Sequence, residues 1–258
     1  MPEKKLSILK MHDSGESHYT DKGDLWNLPM KLIIIGRSQL SGKTNFLGSL
    51  LLQEDARMYR KDFKGEDIYL FSPSHDTDHK LKIMIQEKEI PASNIFPSMN
   101  ENIIEALYEN IQEAYLKAIA EGKKPVHSLF IFDDMSFGNK TKNSAVEKLA
   151  CNGRHLMIST IITAQKYSQI STVMRENATG MVLFNCTDKQ MDLISEDNNY
   201  LPKKDDFRKL FRKLTRERHS FMAVNYSNSA DKMYQNLHFE AVGKCGKTLD
   251  KCDCSHDD

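Results

Sequence analysis

The stretch that most constrains the fold is Met30-Lys31-Leu32-Ile33-Ile34-Ile35, closed by Gly36 and followed by Arg37-Ser38-Gln39-Leu40-Ser41-Gly42-Lys43-Thr44. A short, β-branched apolar run ending at a glycine reads as a buried strand. Residues 45–52 then read as a helix. Strand, polar loop and helix with Gly-Lys-Thr at the junction match a phosphate-binding loop, G-x-x-x-x-G-K-[ST]. The chemistry needs these residue types. Backbone amides of the loop and the helix start form an anion nest, a lysine reaches the β- and γ-phosphates, and a hydroxyl ligates Mg²⁺. The candidate nucleotide-binding residues are Gly36, Ser38, Ser41, Gly42, Lys43 and Thr44. One departure is visible: Gly36 lies six positions before Gly42, and Arg37 holds the place of the expected first glycine. The tripeptide alone carries little weight. Gly246-Lys247-Thr248 recurs near the C-terminus with no strand before it and no helical pattern after it.

A second strand delivers acids. Leu129-Phe130-Ile131-Phe132 runs into Asp133-Asp134, and a buried strand with a carboxylate at its tip is what a Mg²⁺ site facing a phosphate loop requires. Asp133 is the candidate Mg²⁺ ligand beside Thr44, and Asp134 is placed to polarise an attacking water. Asp pairs also start turns; the phosphate loop upstream is what favours the site. Lys43 and Asp133 are 90 positions apart. That leaves room for a strand–helix unit between them and favours NTPases whose two strands are not adjacent.

A third strand, 157–163, ends near Gln165, which could sense the γ-phosphate or orient the water, or simply be a surface residue. Arg154 precedes this strand and Arg175 follows it. Either could reach across a subunit boundary to stabilise charge on the transferring phosphoryl group, and either could instead form a surface salt bridge.

Further strands are expected at 68–71, 94–97, 181–184, 221–224 and 237–242, with a long helix over 101–121 closed by Gly122. Strands alternating with helices predict an α/β fold, a mostly parallel central sheet with helices on both faces, and ligands beyond the carboxyl ends of the strands. The 258 residues, at about 150 per domain, suit one domain with extensions. The expected division is a polar leader over 1–28, an ATPase domain over 29–242 and a loosely ordered Cys-rich tail over 243–258.

Thirty-six Lys and Arg balance 36 Asp and Glu, so the chain is neither uniformly basic nor acidic. Locally the balance breaks: residues 203–218 hold eight Lys or Arg against three acids, a surplus of five. The spacing predicts a basic amphipathic helix there. Phe207, Leu210, Phe211 and Leu214 form one stripe, and Arg208, Arg212 and Arg216, with Lys209 and Lys213 beside them, form another. Such a stripe suits sequence-independent contact with nucleic-acid phosphates; the alternative is a solvated face. Five Cys make a disulfide framework improbable and point to a reducing compartment. Cys245, Cys252, Cys254 and His256 could hold zinc, although C-x6-C-x-C-x-H is not a recognised ligand spacing. Cys151 and Cys186 read as ordinary core or near-core thiols. No apolar run approaches the roughly 18 residues of a membrane span, and the N-terminus lacks a signal-peptide core.

Over roughly residues 26–190 these motifs together resemble the genome-packaging ATPases of large DNA viruses, poxvirus-type, within the FtsK/HerA superfamily. The resemblance rests on Leu28-Pro29-Met30, Ser41-Gly42-Lys43-Thr44, Ile131-Phe132-Asp133-Asp134, Gly153-Arg154-His155-Leu156, Gln165 and Arg175-Glu176-Asn177-Ala178. It implies a RecA-like (ASCE) P-loop NTPase fold and an oligomeric, commonly hexameric, ring motor that uses ATP and Mg²⁺ to move double-stranded DNA into a preformed capsid. The matching residues then take these roles: Lys43 and Thr44 on phosphates and metal, Asp133 on Mg²⁺, Asp134 as base, Gln165 as sensor, and Arg154 or Arg175 acting in trans. The expected partners are DNA, further copies of the chain and a capsid or virion component. The expected place is a virus factory in the host cytoplasm or the virion. Two other readings stay open: an ATPase of similar core with another cargo, and a nucleotide-binding switch with little turnover. The paired Asp133 and Asp134 argue against the switch.

Overall fold

The computed structural model describes residues 19–38, 41–135 and 145–251. Eight strands form one sheet: β1 (Lys31–Ile35), β2 (Ile68–Phe71), β3 (Ile95–Phe96), β4 (Ser128–Phe132), β5 (Ile158–Ala164), β6 (Gly180–Phe184), β7 (Phe221–Asn225) and β8 (Tyr234–Gln235). Their spatial order is β3-β2-β4-β5-β1-β6-β7-β8. Every pairing from β3 to β6 is parallel, and β7 and β8 close the sheet antiparallel.

β1, β4, β5 and β6 are buried along their whole length, which explains the apolar runs of β1, β4 and β6: a parallel strand covered on both faces has no polar side. The pleat sends alternate residues to opposite layers. Leu32 and Ile34 pack with α1 (Lys43–Leu52) and α2 (His79–Glu87). Ile33 and Ile35 pack against the layer made by α3 (Glu101–Ala120), α4 (Ala145–Asn152), α5 (Thr172–Glu176), α6 (Asp188–Asn198) and α7 (Lys204–Leu214). The fold is the expected RecA-like α/β arrangement, with helices on both faces. α3 starts at the cap Asn100, whose side chain accepts from the amides of Asn102 and Ile103. It stops just before Gly122, which takes φ 64°, the left-handed conformation that favours glycine. None of the described helices is long and apolar enough to cross a membrane.

The domain limits differ from the sequence reading at both ends. The last residues of the expected leader belong to the core: Leu25, Trp26 and Leu28 are buried. The Trp26 indole N–H donates to the Val224 carbonyl at 3.0 Å, and the Tyr59 hydroxyl donates to the Trp26 carbonyl at 2.7 Å. The indole lies against Gly180, where a Cβ would stand 1.8 Å from Nε1, so β6 begins with glycine because Trp26 occupies the space. At the other end the chain stays attached to the domain as far as Leu249, whose amide donates to the Ala241 carbonyl at 3.2 Å. Val242 bridges Thr248, and Lys213 donates to the Cys245 carbonyl at 2.7 Å. The strand expected over 237–242 is replaced by β8 two residues earlier and a turn, in which Asn236 Oδ1 accepts from the amides of His238 and Glu240. Cys252, Cys254 and His256 of the zinc expectation lie outside the described residues. Among the described residues no group of three or more His, Cys, Asp or Glu is gathered to hold a metal ion.

Trp26→Ala removes a fully buried side chain and leaves the Val224 carbonyl without its donor. Unfolding in urea is expected to show a loss of about 3–5 kcal/mol, whereas a solvated leader residue would leave the midpoint unchanged.

Candidate functional site

The phosphate loop sits at the carboxyl end of β1. Gly36 is fixed by its amide donating to the Ala164 carbonyl at the end of β5, 3.1 Å away. A Cβ on Gly36 would stand 2.6 Å from Ser41 Cβ, so the early glycine is the point where the returning loop touches the strand. Ser41 Oγ closes the turn by donating to the Arg37 carbonyl at 2.7 Å. Arg37 and Ser38 are exposed. Gly42 has φ 95° and precedes α1 without a side-chain cap, and the first turn of the helix holds no acid. The first amides of a helix lack intrahelical partners, and here they belong to Lys43 and Thr44. These features fit an anionic phosphate ligand.

Lys43 is buried, and its ammonium donates to the Gly36 carbonyl at 2.8 Å and lies 3.5 Å from Asp134 Oδ1. That pair joins the phosphate loop to the tip of β4. Asp133 is 4% exposed. Its Oδ1 accepts from the Thr163 hydroxyl at 2.8 Å and its Oδ2 from the Ser72 hydroxyl at 3.1 Å. Burial pushes the Asp133 carboxyl above the usual range; the Thr163 bond opposes this, the Asp134 charge adds to it, and Ser72 and Lys43 pull it back. The next residue, Asp134, takes φ 48°, which Asp tolerates better than most side chains. Its amide donates to Thr163 Oγ at 2.9 Å. Asp134 Oδ1 is buried without a hydrogen bond and stands 3.5 Å from the Lys43 ammonium, with the Asp133 carboxyl also near. Two carboxylates and the Thr44 hydroxyl are hard oxygen donors, the set that Mg²⁺ takes beside phosphate. The residues present therefore fit a nucleotide with its Mg²⁺.

Thr163 and Ser72, which hold the Asp133 carboxyl, are site residues that the motif reading passed over. Each carries a signal: Thr163 is the polar residue near the end of an apolar strand, and Ser72 directly follows Phe71 at the end of β2. Gln165 follows β5 and is exposed; because β5 lies between β1 and β4, it is flanked by the loop and the acids.

The arginines are elsewhere. Arg154 is exposed in the turn before β5. The seven residues of β5, at about 3.3 Å each, put it roughly 20 Å from the acids of its own subunit. Arg175 is tied down within its subunit. It ion-pairs with Asp197, donates to Thr172 Oγ at 3.1 Å and lies 4.8 Å over the Tyr167 ring.

The open cationic stripe expected on 203–218 is also revised. Phe207, Leu210 and Phe211 are buried as expected, but Arg208 pairs with Asp192 and Arg212 with Asp188 at 2.8 Å. The two acids are four apart on α6 and the two arginines four apart on α7, so the helices meet as a matched ladder. Lys213 is bonded to the Cys245 carbonyl. Lys209 and Arg216 are exposed and form no ion pair among the described residues.

The raised Asp133 pKa has a consequence for stability. Folding favours the protonated carboxyl, so its contribution is present below about pH 4 and lost as pH rises through the folded-state value. Near pH 7, without divalent metal, the buried carboxylate is a net cost, and Asp133→Asn is expected to raise Tm. The gain should shrink toward pH 4, as thermal unfolding of both proteins across that range would show.

Comparison with known proteins gives the family and the fold. The family model described as Poxvirus A32 protein matches residues 16–234. The DNA packaging protein OPG160 of vaccinia virus (strain Copenhagen) is 31% identical over 163 residues, which cover 63% of this chain and 55% of the relative. The monkeypox virus DNA packaging protein OPG160 is 31% identical over 163 residues, covering 63% and 50%. The chain thus spans about half the length of the curated relatives it matches. Among solved structures, the genome packaging NTPase B204 from Sulfolobus turreted icosahedral virus 2 in complex with AMP superposes with a TM-score of 0.52 at 14% identity, over 77% of this chain and 93% of that one. The pCW3 conjugation coupling protein TcpA with ATPgS gives 0.51 at 10% identity, over 77% and 58%. At that identity the structures support the fold alone. The match to most of the described sheet places the chain plainly in the Poxvirus A32 protein family.

Proposed function

We propose that this chain is an ATP-hydrolysing motor that drives double-stranded viral DNA into a preformed capsid. The observation that carries the reading is the meeting of Lys43 with Asp134, beside buried Asp133, at the carboxyl edge of a RecA-like sheet. Family membership supports the cargo, because the matched vaccinia and monkeypox virus relatives are named DNA packaging proteins. Lys43 and the α1 amides bind the β- and γ-phosphates. Thr44 and Asp133 would hold Mg²⁺, which when bound neutralises phosphate charge. Asp134 is the base that takes the proton of the attacking water, and Thr163 and Ser72 orient the metal-binding carboxylate. Gln165 is the sensor between loop and acids. A small domain encloses a duplex only as a ring, so the active form is a homo-oligomer with head-to-tail interfaces. The expected setting is the virus factory or the virion, against a capsid component. For DNA contact, Lys209 and Arg216 are the cations of the 203–218 segment with no ion pair among the described residues.

The trans arginine is best assigned to Arg154. Arg175 would have to break the Asp197 pair and leave the Tyr167 ring, whereas Arg154 is exposed.

Lys43→Ala is expected to abolish ATP hydrolysis in a folded protein, and duplex DNA to stimulate hydrolysis by the unmodified chain. Turnover indifferent to DNA would favour another cargo, and nucleotide binding without turnover a switch. Mixing separates a trans role from a local one. Lys43→Ala and Arg154→Ala subunits should each be inactive alone. Combined in equal amounts they should regain activity at about a quarter of interfaces, where an intact loop meets an intact arginine. Inactive mixtures would assign the arginine elsewhere.

A further inference from the structure

Two helices on opposite faces of the sheet turn apolar side chains outward. α3 packs inward through Ile104 and Tyr108, with Ile111 and Tyr115 partly buried beside them. Its other side carries Glu105, Glu109, Gln112, Leu116 and Ile119, which follow the i, i+4, i+7, i+11, i+14 spacing of a single helix face. All five are exposed, Leu116 by 58% and Ile119 by 44%. α2 packs inward through Leu81 and Met84, in the other layer. It turns Ile83 outward, 42% exposed, with Lys82 beside it and Lys80 one turn earlier, both exposed. The two faces carry opposite charge. Glu105, Glu109 and Glu113 recur every four residues along α3, a like-charge spacing that opposes a helix, so the row does not serve α3 itself. Among the described residues none of these glutamates is in an ion pair, and neither is Lys80 or Lys82.

We infer that the outward face of α3 on one copy of the chain docks on the outward face of α2 on the next, Leu116 and Ile119 against Ile83 and the glutamates against Lys80 and Lys82. This rests on the ring reading and says which surfaces build the ring. A row of glutamates repels nucleic-acid phosphates, so the occupant is a protein, and an apolar centre with complementary charge around it is how a specific protein contact is built. The two patches are different and lie on opposite faces of the sheet, so the contact is heterologous and repeats head to tail. It also completes the site. The last turns of α3 lead toward the start of β4, at the same edge from which the Arg154 turn enters β5, and that turn packs on α3 and α4. The first turns of α2 follow the end of β2, at the edge that holds the phosphate loop, and α2 packs on α1, the helix that the loop opens. Setting Leu116 against Ile83 of the next copy thus brings the Arg154 edge of one subunit toward the phosphate-loop edge of the other. Within one subunit Arg154 and the acids are held roughly 20 Å apart by the length of β5.

Charge reversal on the full chain tests the pairing. With magnesium and the non-hydrolysable ATP analogue AMPPNP, the unmodified protein is expected to assemble, as read by sedimentation velocity. Glu105→Lys with Glu109→Lys sets cations against Lys80 and Lys82 and should weaken assembly by at least about tenfold. Lys80→Glu with Lys82→Glu should do the same from the other side. The four substitutions together put opposite charges back at every interface, so assembly and ATP hydrolysis should both return. Leu116→Asp should dissociate the ring with no such rescue. These side chains are exposed, so circular dichroism and Tm should stay those of the unmodified chain. Assembly indifferent to either reversal, or a folded four-substitution protein that stays dissociated, would overturn the proposal and leave the ring reading standing. An unmodified chain that remains monomeric with AMPPNP at every protein concentration would refute the ring reading, and this surface with it.

Discussion

The site depends on the hydroxyl of Thr163. It donates to Asp133 Oδ1 and accepts from the Asp134 amide, so one buried group fixes both acids, one through its side chain and the other through its backbone. The next residue, Ala164, accepts from the Gly36 amide. Two consecutive residues of β5 therefore hold the acid tip of β4 on one side and the phosphate loop of β1 on the other. An unsupported carboxylate in this position would be hard to keep ionised, because burial is the largest influence on Asp133. The two donated hydrogen bonds are what make a buried anion tolerable. The parallel registers Ile33↔Ile162 and Ile131↔Ile161 then set loop and acids at the same height on the sheet.

Much of this was legible in the sequence, for identifiable reasons. β1, β4 and β6 are buried on both faces, so they appear as uninterrupted apolar runs. α3 has apolar spacing, an Asn cap and a terminal glycine. Lys43, Asp133 and Asp134 sit where strands end, which is where parallel sheets place their chemistry. What escaped notice depended on contacts between distant segments. Trp26 reads as part of a polar leader because its burial comes from Gly180 and Val224, 198 positions from the latter. Thr163 and Ser72 matter through Asp133, and no local pattern marks either as more than a polar residue near a strand end. The 237–242 segment looked like a strand from its apolar residues, but Asn236 bonds two amides of its own turn, a local competitor that apolar content does not register.

Charge shows the same distinction between composition and placement. The chain as a whole is neutral, and the excess of five in 203–218 looked like an exposed cationic face. In the fold, Asp188 and Asp192 of α6 answer Arg212 and Arg208 of α7. Partly exposed pairs of this kind add little stability individually, but with four-residue spacing on both helices they fix how α6 and α7 register. The cations beyond the end of α7 behave differently. Arg216 and Arg218 fall in the turn that leans on the phosphate loop. The basic segment thus divides into a helix that uses its arginines for packing and a turn that stands beside the phosphate loop.

That division gives the antiparallel end of the sheet a role. β6 and β7 pair as Phe184↔Phe221, so the start of β7 and the end of β6 emerge together at the carboxyl edge. Phe46 of α1 packs edge-on against both Phe184 and Phe221, which locks the helix behind the phosphate loop to this antiparallel pair. A parallel strand after β6 would begin at the opposite edge and could not bring the 215–220 turn over Gly42. The reversal of direction at β7 is therefore what gives the phosphate loop a second wall. The acids lie on the flank of the parallel strands β4 and β5, and the turn before β7 lies on the flank that the antiparallel pair supplies.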